Sequence, residues 1–372
     1  MTRTILYGSP LSLYTGRARS YLIKAGIDYH EQIHNSEHYL RNVLPKAGNR
    51  QGIPTLETEK GEVIRDGAAI IDHYEAIGGH TFSPVTPKQR IVSRLFDVIG
   101  CEGLLRPAMH YRWNFDAENL DFLTYHFNTM APRTEDAAEK AERLMNNMRN
   151  AAMAFGAVPD TFELVESLYM ELLASLNEHF SNYPYLLGNR PCIGDFGMIA
   201  PLYAHLGRDP KPLSLMQTHA IRLFRWVERM NRPEPDIGEF GNHQEGYLPG
   251  DEIPASLTAL MKQIAVDFVP ETAAAAKCIN EWLSQQEDLA PGSTAERGVG
   301  FGSFELRGST INALAQPYRF YLLQRVQDEF EALNSDEQTD VTSMLTDAGM
   351  QQMLTTKLDR RIGRQNNLEV WL

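Results

Sequence analysis

The sequence predicts an α/β unit followed by an all-α one, and three stretches carry that prediction. Residues 4–8 form a short β-branched and aromatic run. A helical pattern follows, with Ala18, Tyr21, Leu22 and Ala25 on one side and Gly26 as its stop. Residues 52–67 read as strand, tight turn, strand and helix start, closing on Asp66-Gly67. From Lys88 onward the apolar spacing is helical, as in Ile91, Leu95 and Val98-Ile99, and again in Val165, Leu168, Leu172, Leu176 and Phe180.

Taken in order, the strand at 4–8 leads into the loop Ser9 to Gly16 and then the first helix. Asp28 to His34 is a second strand candidate, and Ser36 to Leu44 a short helix with Pro45 near its end. His30, His34 and His38 recur every four residues, but over a strand and a loop that spacing does not gather them, so no metal site is expected. Pro54 precedes a short apolar strand, Glu59-Lys60-Gly61 makes the turn, and Glu62 to Ile64 the returning strand. Ile70, Ile71, Tyr74 and Ile77 then share a helical face. Residues 78–87 have linker composition and mark a domain boundary.

Beyond it, Arg106-Pro107 interrupts one helix or starts another. Residues 110–115 are a dense aromatic and basic cluster. Helices are expected at 137–157 and 162–180. The stretch 185–196 carries Asp195 at a helix start, with Phe196, Ile199, Tyr203 and Leu206 as the buried face. A proline- and glycine-bearing connector runs from Pro233 to Pro254. Leu257, Leu260, Met261, Ile264 and Phe268 make another amphipathic helix, Phe304 to Leu306 a short strand, and Phe320, Leu323, Val326, Phe330 and Leu333 a final stripe. Such faces need covering, so the last third is expected to pack rather than stay disordered. The run 360–364 reads as solvated basic surface, with a ligand or partner role as the alternative.

The chemistry concentrates between residues 9 and 67. An X-Pro bond permits cis geometry, and a turn at Ile53-Pro54 leaves the Ile53 N–H and C=O free to pair with an extended ligand as an added strand does. The helix opening at Gly67 aims amides and a positive dipole end at a carboxylate. A hydroxyl in the 9–16 loop, beside a helix N-terminus, can donate to a sulfur and lower a thiol pKa. Ordinary turn and cap chemistry accounts for the same residues without a ligand.

These stretches together resemble the glutathione transferase family. The likeness rests on Thr4 to Pro10 as its first strand and active-site loop, Gly16 to Gly26 as its first helix, the Ile53-Pro54 dipeptide with the hairpin after it, Asp66-Gly67, and Tyr185 to Phe196 as its second signature. It implies a thioredoxin-like domain at 1–80 and an all-helical domain at 88–235. A mainly helical extension at 236–372 has no counterpart in ordinary members. The resemblance implies glutathione as co-substrate, held by Ile53 and Pro54, and by Asp66 and Gly67 at its γ-glutamyl end. It implies a catalytic hydroxyl at Ser12, then Tyr7, then Tyr14, and an electrophile pocket lined by Tyr111, Arg112 and Trp113. Gly67 stands where the family places serine or threonine, which removes one hydrogen bond to a charged group, worth about 1.5–3 kcal/mol. Asp195 is expected to be structural, with Cys192 a poor substitute for the usual cap.

The activity implied is detoxifying attack of a glutathione thiolate on a small apolar electrophile. A non-catalytic binding or interaction protein of the same fold is the alternative. Thiol-dependent reduction or ether cleavage is a third option, and the lack of a cysteine in the 9–16 loop counts against disulfide exchange. A formal charge of −13 argues against nucleic acid or an anionic membrane as the main partner. Cys101, Cys192 and Cys278 form no CxxC, so neither a disulfide framework nor a zinc site is expected. No apolar run reaches membrane-spanning length and the start is polar, which points to the cytoplasm. A homodimer is usual for the family, but the long tail is able to cover the usual interface, so both states stay open.

Overall fold

A computed structural model describes residues 3–131, 134–234, 238–241 and 246–372. The connector expected at 233–254 lies partly outside them. The first unit is a four-stranded sheet in the order β2-β1-β3-β4. Its strands are β1 (Thr4–Tyr7), β2 (Tyr29–Gln32), β3 (Thr55–Glu57) and β4 (Val63–Arg65). The β1–β2 pair is parallel across α1 (Leu13–Lys24), and the other two pairs are antiparallel. Ser12 caps α1 through its Oγ, and Gly26, at φ +68°, makes the left-handed turn out of it. The short helix expected at 36–44 is a single π-helical turn, Tyr39–Val43.

Leu6, Leu56 and Ile64 pack with Ala18 and Leu22 of α1 and Ile70 of α2 (Gly67–Gly78) on one face of the sheet. The neighbouring residues Tyr7 and Val63 point to the other face, against Tyr39 and Val43, as the two-residue period of a strand requires. Ile77 departs from the expected helical face and is 69% exposed, because α2 ends before its last turn is covered.

The linker leads into the helical unit. Its helices are α3 (Pro87–Val98), α4 (Leu105–Trp113), α5 (Asp116–Met130), α6 (Ala137–Ala154), α7 (Phe162–Asn182), α8 (Ile193–Ala204), α9 (Pro210–His219) and α10 (Ile221–Met230). The expected stripes of α3 and α7 are buried. Asp195 is fully buried, taking the amides of Cys192 (2.9 Å) and Leu186 (3.2 Å) and the Trp226 indole (2.9 Å). Burial pushes its carboxyl up to about 6 against those bonds.

Helix α8 lies against the end of α3 at a backbone-to-backbone contact that only glycine permits. A Cβ on Gly100 would stand 2.2 Å from the Gly197 carbonyl carbon, and one on Gly197 2.4 Å from the Asp97 Cα. Gly100→Ala is therefore expected to cost at least about 1–3 kcal/mol in denaturant unfolding, the usual scale of core overpacking. A loss under about 0.5 kcal/mol would mean the helices part freely.

The last third does pack, and it touches both units. Helix α11 (Ala255–Leu283) lies along α7, and α12 (Pro317–Glu331) along α3 with α13 (Ser335–Asp347) beside it. The strand expected at Phe304 to Leu306 is the end of β5 (Phe301–Leu306), paired with β6 (Ser309–Leu314). A second hairpin, β7 (Ile362–Gln365) and β8 (Leu368–Trp371), was not foreseen and takes in the tail of the basic run. It docks on β4, the edge strand: the Asn367 side chain takes the Arg65 amide (3.0 Å) and donates to the Val63 carbonyl (2.8 Å). One carboxamide thus does what a fifth strand would do there.

Candidate functional site

Strand register gathers four loops at one end of the sheet. Tyr7 pairs with Gln32 and with Thr55, and Thr55 pairs with Arg65. Residues 8–12, 33–38, 51–54 and 66–67 therefore leave the sheet at the same end, where α1 and α2 also begin. Two helix N-termini point there, with their positive dipole ends.

The Ile53-Pro54 bond is cis. Pro54 is buried and its carbonyl accepts the Asp66 amide at 3.0 Å. Ile53 is partly exposed, and its N–H and C=O have no hydrogen-bond partner among the described residues. Ser12 is also partly exposed. Its Oγ accepts the Thr15 amide at 3.2 Å, which leaves its proton free to donate.

The two tyrosines behave differently. Tyr7 is not brought to this cleft: it is fully buried on the opposite face, donating to Glu57 at 3.0 Å and packed 4.9 Å from the Tyr39 ring. Tyr14 points inward and donates to Glu102 Oε1 at 3.1 Å. Burial raises both phenols above the ordinary range, so neither ionises near neutrality. Only Ser12 of the three offers a hydroxyl at the sheet end.

At the α2 end the expected anion receptor is already filled. Asp66 stands at φ +87°, a conformation rare for a residue with a Cβ and typical of functional positions. Its Oδ1 accepts the Ala68 (2.9 Å) and Ala69 (3.2 Å) amides, the very groups a ligand carboxylate would use. Its Oδ2 accepts the Tyr318 hydroxyl of α12 at 2.7 Å. Burial raises the Asp66 pKa, but Arg364, Arg17, the Tyr318 hydroxyl and Arg65 outweigh it, and the carboxyl lies below its usual range. Gly67 lies close against α1: a Cβ there would stand 3.3 Å from both Arg17 Cδ and the Tyr14 carbonyl oxygen, a tight contact that one of them would have to relieve by a small shift.

Arg17, Tyr318 and Glu102 were missed from sequence, and Arg364 was read only as part of a basic surface run. Arg17 is 1% exposed, its Nη2 gripping Asp97, while its Nε and Nη1 have no partner. Its place one turn before Tyr21 on the buried side of α1 was a readable signal. Nothing in the chain links Tyr318 to a residue 252 positions earlier.

The residues expected to line an electrophile pocket are core instead. Tyr111, Arg112 and Trp113 are 2%, 4% and 1% exposed. Tyr111 stacks on Phe115 and meets Tyr169 at 4.6 Å; Arg149 lies over Trp113. Arg112 bonds both oxygens of Asp209 (2.7 and 2.9 Å) and the carbonyls of Leu11 and Ala204. Helical aromatic spacing marked packing here, not a wall. A cavity of about 40 Å³ lies elsewhere, between α4, α7 and α11, lined by Leu104, Pro107, Leu168, Tyr169 and Phe268. It is sized for water. Among the described residues no helix is long and apolar enough to cross a membrane.

Residues 6–80 match the family described as glutathione S-transferase, N-terminal domain. The chain is similar in structure to a glutathione transferase from Phanerochaete chrysosporium, with 14% identity, 62% of this chain and 97% of that one covered, and a TM-score of 0.44. It is similar to a beta-etherase from a Sphingobium strain, at 18% identity, 64% and 98% coverage and a TM-score of 0.40. A glutathione S-transferase from Methylobacterium radiotolerans, solved in complex with glutathione sulfonate, shares 14% identity over 66% and 98% of the two chains, with a TM-score of 0.37. At such distances these likenesses say nothing of activity. No curated protein matches the chain.

Proposed function

We propose a glutathione-dependent transferase, a reading that starts from the match of residues 6–80 to the glutathione S-transferase N-terminal domain. The observation that supports it best is the pair of unpartnered Ile53 main-chain groups at the end of the sheet where Ser12 opens α1. An extended thiol peptide pairs with Ile53 as an added strand. The Ser12 hydroxyl donates to its sulfur, and the α1 dipole favours the thiolate over the thiol. The thiol proton leaves to solvent, the sulfur forms a bond to a carbon of a small apolar electrophile, and the departing group takes the electron pair of the bond that breaks.

A second reading, a binding module of the same fold without turnover, is favoured by the α2 end, where Asp66 and the amides beyond it already have internal partners. Calorimetric titration with glutathione and an aryl halide assay separate the two. On the first reading Ser12→Ala lowers kcat/KM about ten- to hundredfold, the scale of one hydrogen bond to a developing charge. It also raises the pKa of the bound thiol, which a stability loss alone would not do. Binding without turnover on a panel of electrophiles supports the module, and no binding removes both.

A further inference from the structure

Helix α12 of the extension lies along α3, and the seam between them opens into a groove of about 260 Å³ lined by Arg94, Arg325, Asp328, Glu329 and Ala332. At about 30 Å³ per water in the liquid, it has room for several waters or one small ligand. Its carboxylates each have a cation of their own. Glu329 lies 2.8 Å from Arg90, Asp328 accepts from Arg361 at 2.6 Å, and Asp72 at the inner end accepts from Arg325. Deeper still, Arg17 and Asp97 cancel one another. Arg94 is left over. Its nearest carboxylate oxygens, on Asp72 and Glu329, are both 3.9 Å away, beyond hydrogen-bond reach, and it bonds no other described residue. Its side chain is 18% exposed, and beside it Arg325 holds a buried Nη1 without a partner. Burial first, and then the Arg325 charge, lower the Arg94 pKa, as befits a cation short of an anion. Four guanidinium groups thus meet three carboxylates around an open groove.

We propose that this seam is a binding site for a phosphate group, held chiefly by Arg94 with Arg325 beside it. A planar guanidinium presents its N–H groups as a fork that fits two oxygens of a tetrahedral oxyanion. The anion supplies the partner that Arg94 lacks, while the rim carboxylates keep the arginines they already have. The site stands apart from the thiol-peptide reading and does not rest on it. Asp72 belongs to α2, Arg94 to α3 and Arg325 to α12, so the ligand sits where the first unit, the helical unit and the extension meet. Binding there ties the extension to the rest of the chain and stabilises the fold by mass action.

The test titrates the full chain calorimetrically at fixed ionic strength with inorganic phosphate, glycerol phosphate and acetate. Wild type is expected to bind phosphate saturably and roughly tenfold more tightly than acetate, the scale of one added hydrogen bond to a charged group. Glycerol phosphate binding as tightly as the free ion, or more so, assigns the site to a monoester; weaker binding assigns it to phosphate itself. Arg94→Gln breaks no hydrogen bond of the fold and should weaken phosphate by roughly tenfold. Ala332→Glu, at an exposed position on the rim, adds a carboxylate there and should weaken it at least as much. The rise in unfolding temperature that phosphate gives wild type should shrink in both variants. Phosphate affinity unchanged in the two variants places the anion elsewhere and overturns the inference. Phosphate no tighter than acetate means an adventitious ion only and overturns it too, and so does the absence of any binding.

Discussion

Replacing Arg112 by methionine lowers the unfolding free energy by about 3–5 kcal/mol, the cost of stranding one member of a buried ion pair. Asp209 is 0% exposed, and the guanidinium supplies two hydrogen bonds to it. Burial already raises the Asp209 carboxyl, with Arg112 as the first opposing charge. Remove that charge and Asp209 must either ionise unpaired or take up a proton. The same guanidinium holds the Leu11 carbonyl at 2.9 Å, so the loop bearing Ser12 loses an anchor as well. Guanidinium chloride unfolding of Arg112→Met measures the loss, and the double variant with Asp209→Leu should recover most of it. A loss below about 1 kcal/mol, with an altered choice of electrophile, would restore Arg112 as a pocket residue.

Arg112 also shows where a sequence stops being readable. Period and punctuation are local, and the elements they govern were foreseen: β1, α1 with Gly26 behind it, the β3–β4 hairpin, and the stripes of α3 and α7. Ser12 and Ile53 come out at the same end of the sheet because both lie within the first domain, where loop and strand order determine position. What an aromatic or charged side chain faces depends on the partner helix, and nothing in residues 110–115 says that α9 and its cap Asp209 close over them. Tyr7 was misjudged for a simpler reason: a shift of one residue along a strand reverses the face. The hold of Tyr318, Arg364 and Asn367 on the first domain crosses some 250 to 300 positions and left no local trace.

Glu102 to glutamine should reshape the dependence of stability on pH. Burial is the main reason its carboxyl rises from 4.5 to about 7, opposed by Arg319, the Tyr14 hydroxyl and Arg17. A raised acid pKa means that the folded chain binds more protons than the unfolded one between those two values. Stability from this group is complete below about pH 4.5 and drains away as pH climbs towards 7. The loss above 7 is about 3 kcal/mol, at 1.36 kcal/mol for each pKa unit. Glutamine keeps the neutral shape and can still accept from Tyr14. The variant should match wild type near about pH 5 and exceed it by about 3 kcal/mol near about pH 8. Urea midpoints across that range decide it: a variant weaker than wild type at the alkaline end would mean the arginines hold Glu102 charged.

The carboxamide that finishes the first sheet comes from Asn367, 304 positions after the carbonyl it answers. A ribosome adding about 5–20 residues per second needs roughly 15–60 seconds to cover that interval. For all of that time the nascent chain carries an open β edge, available to any neighbouring strand or holding chaperone. The first domain to be made is the last to be sealed.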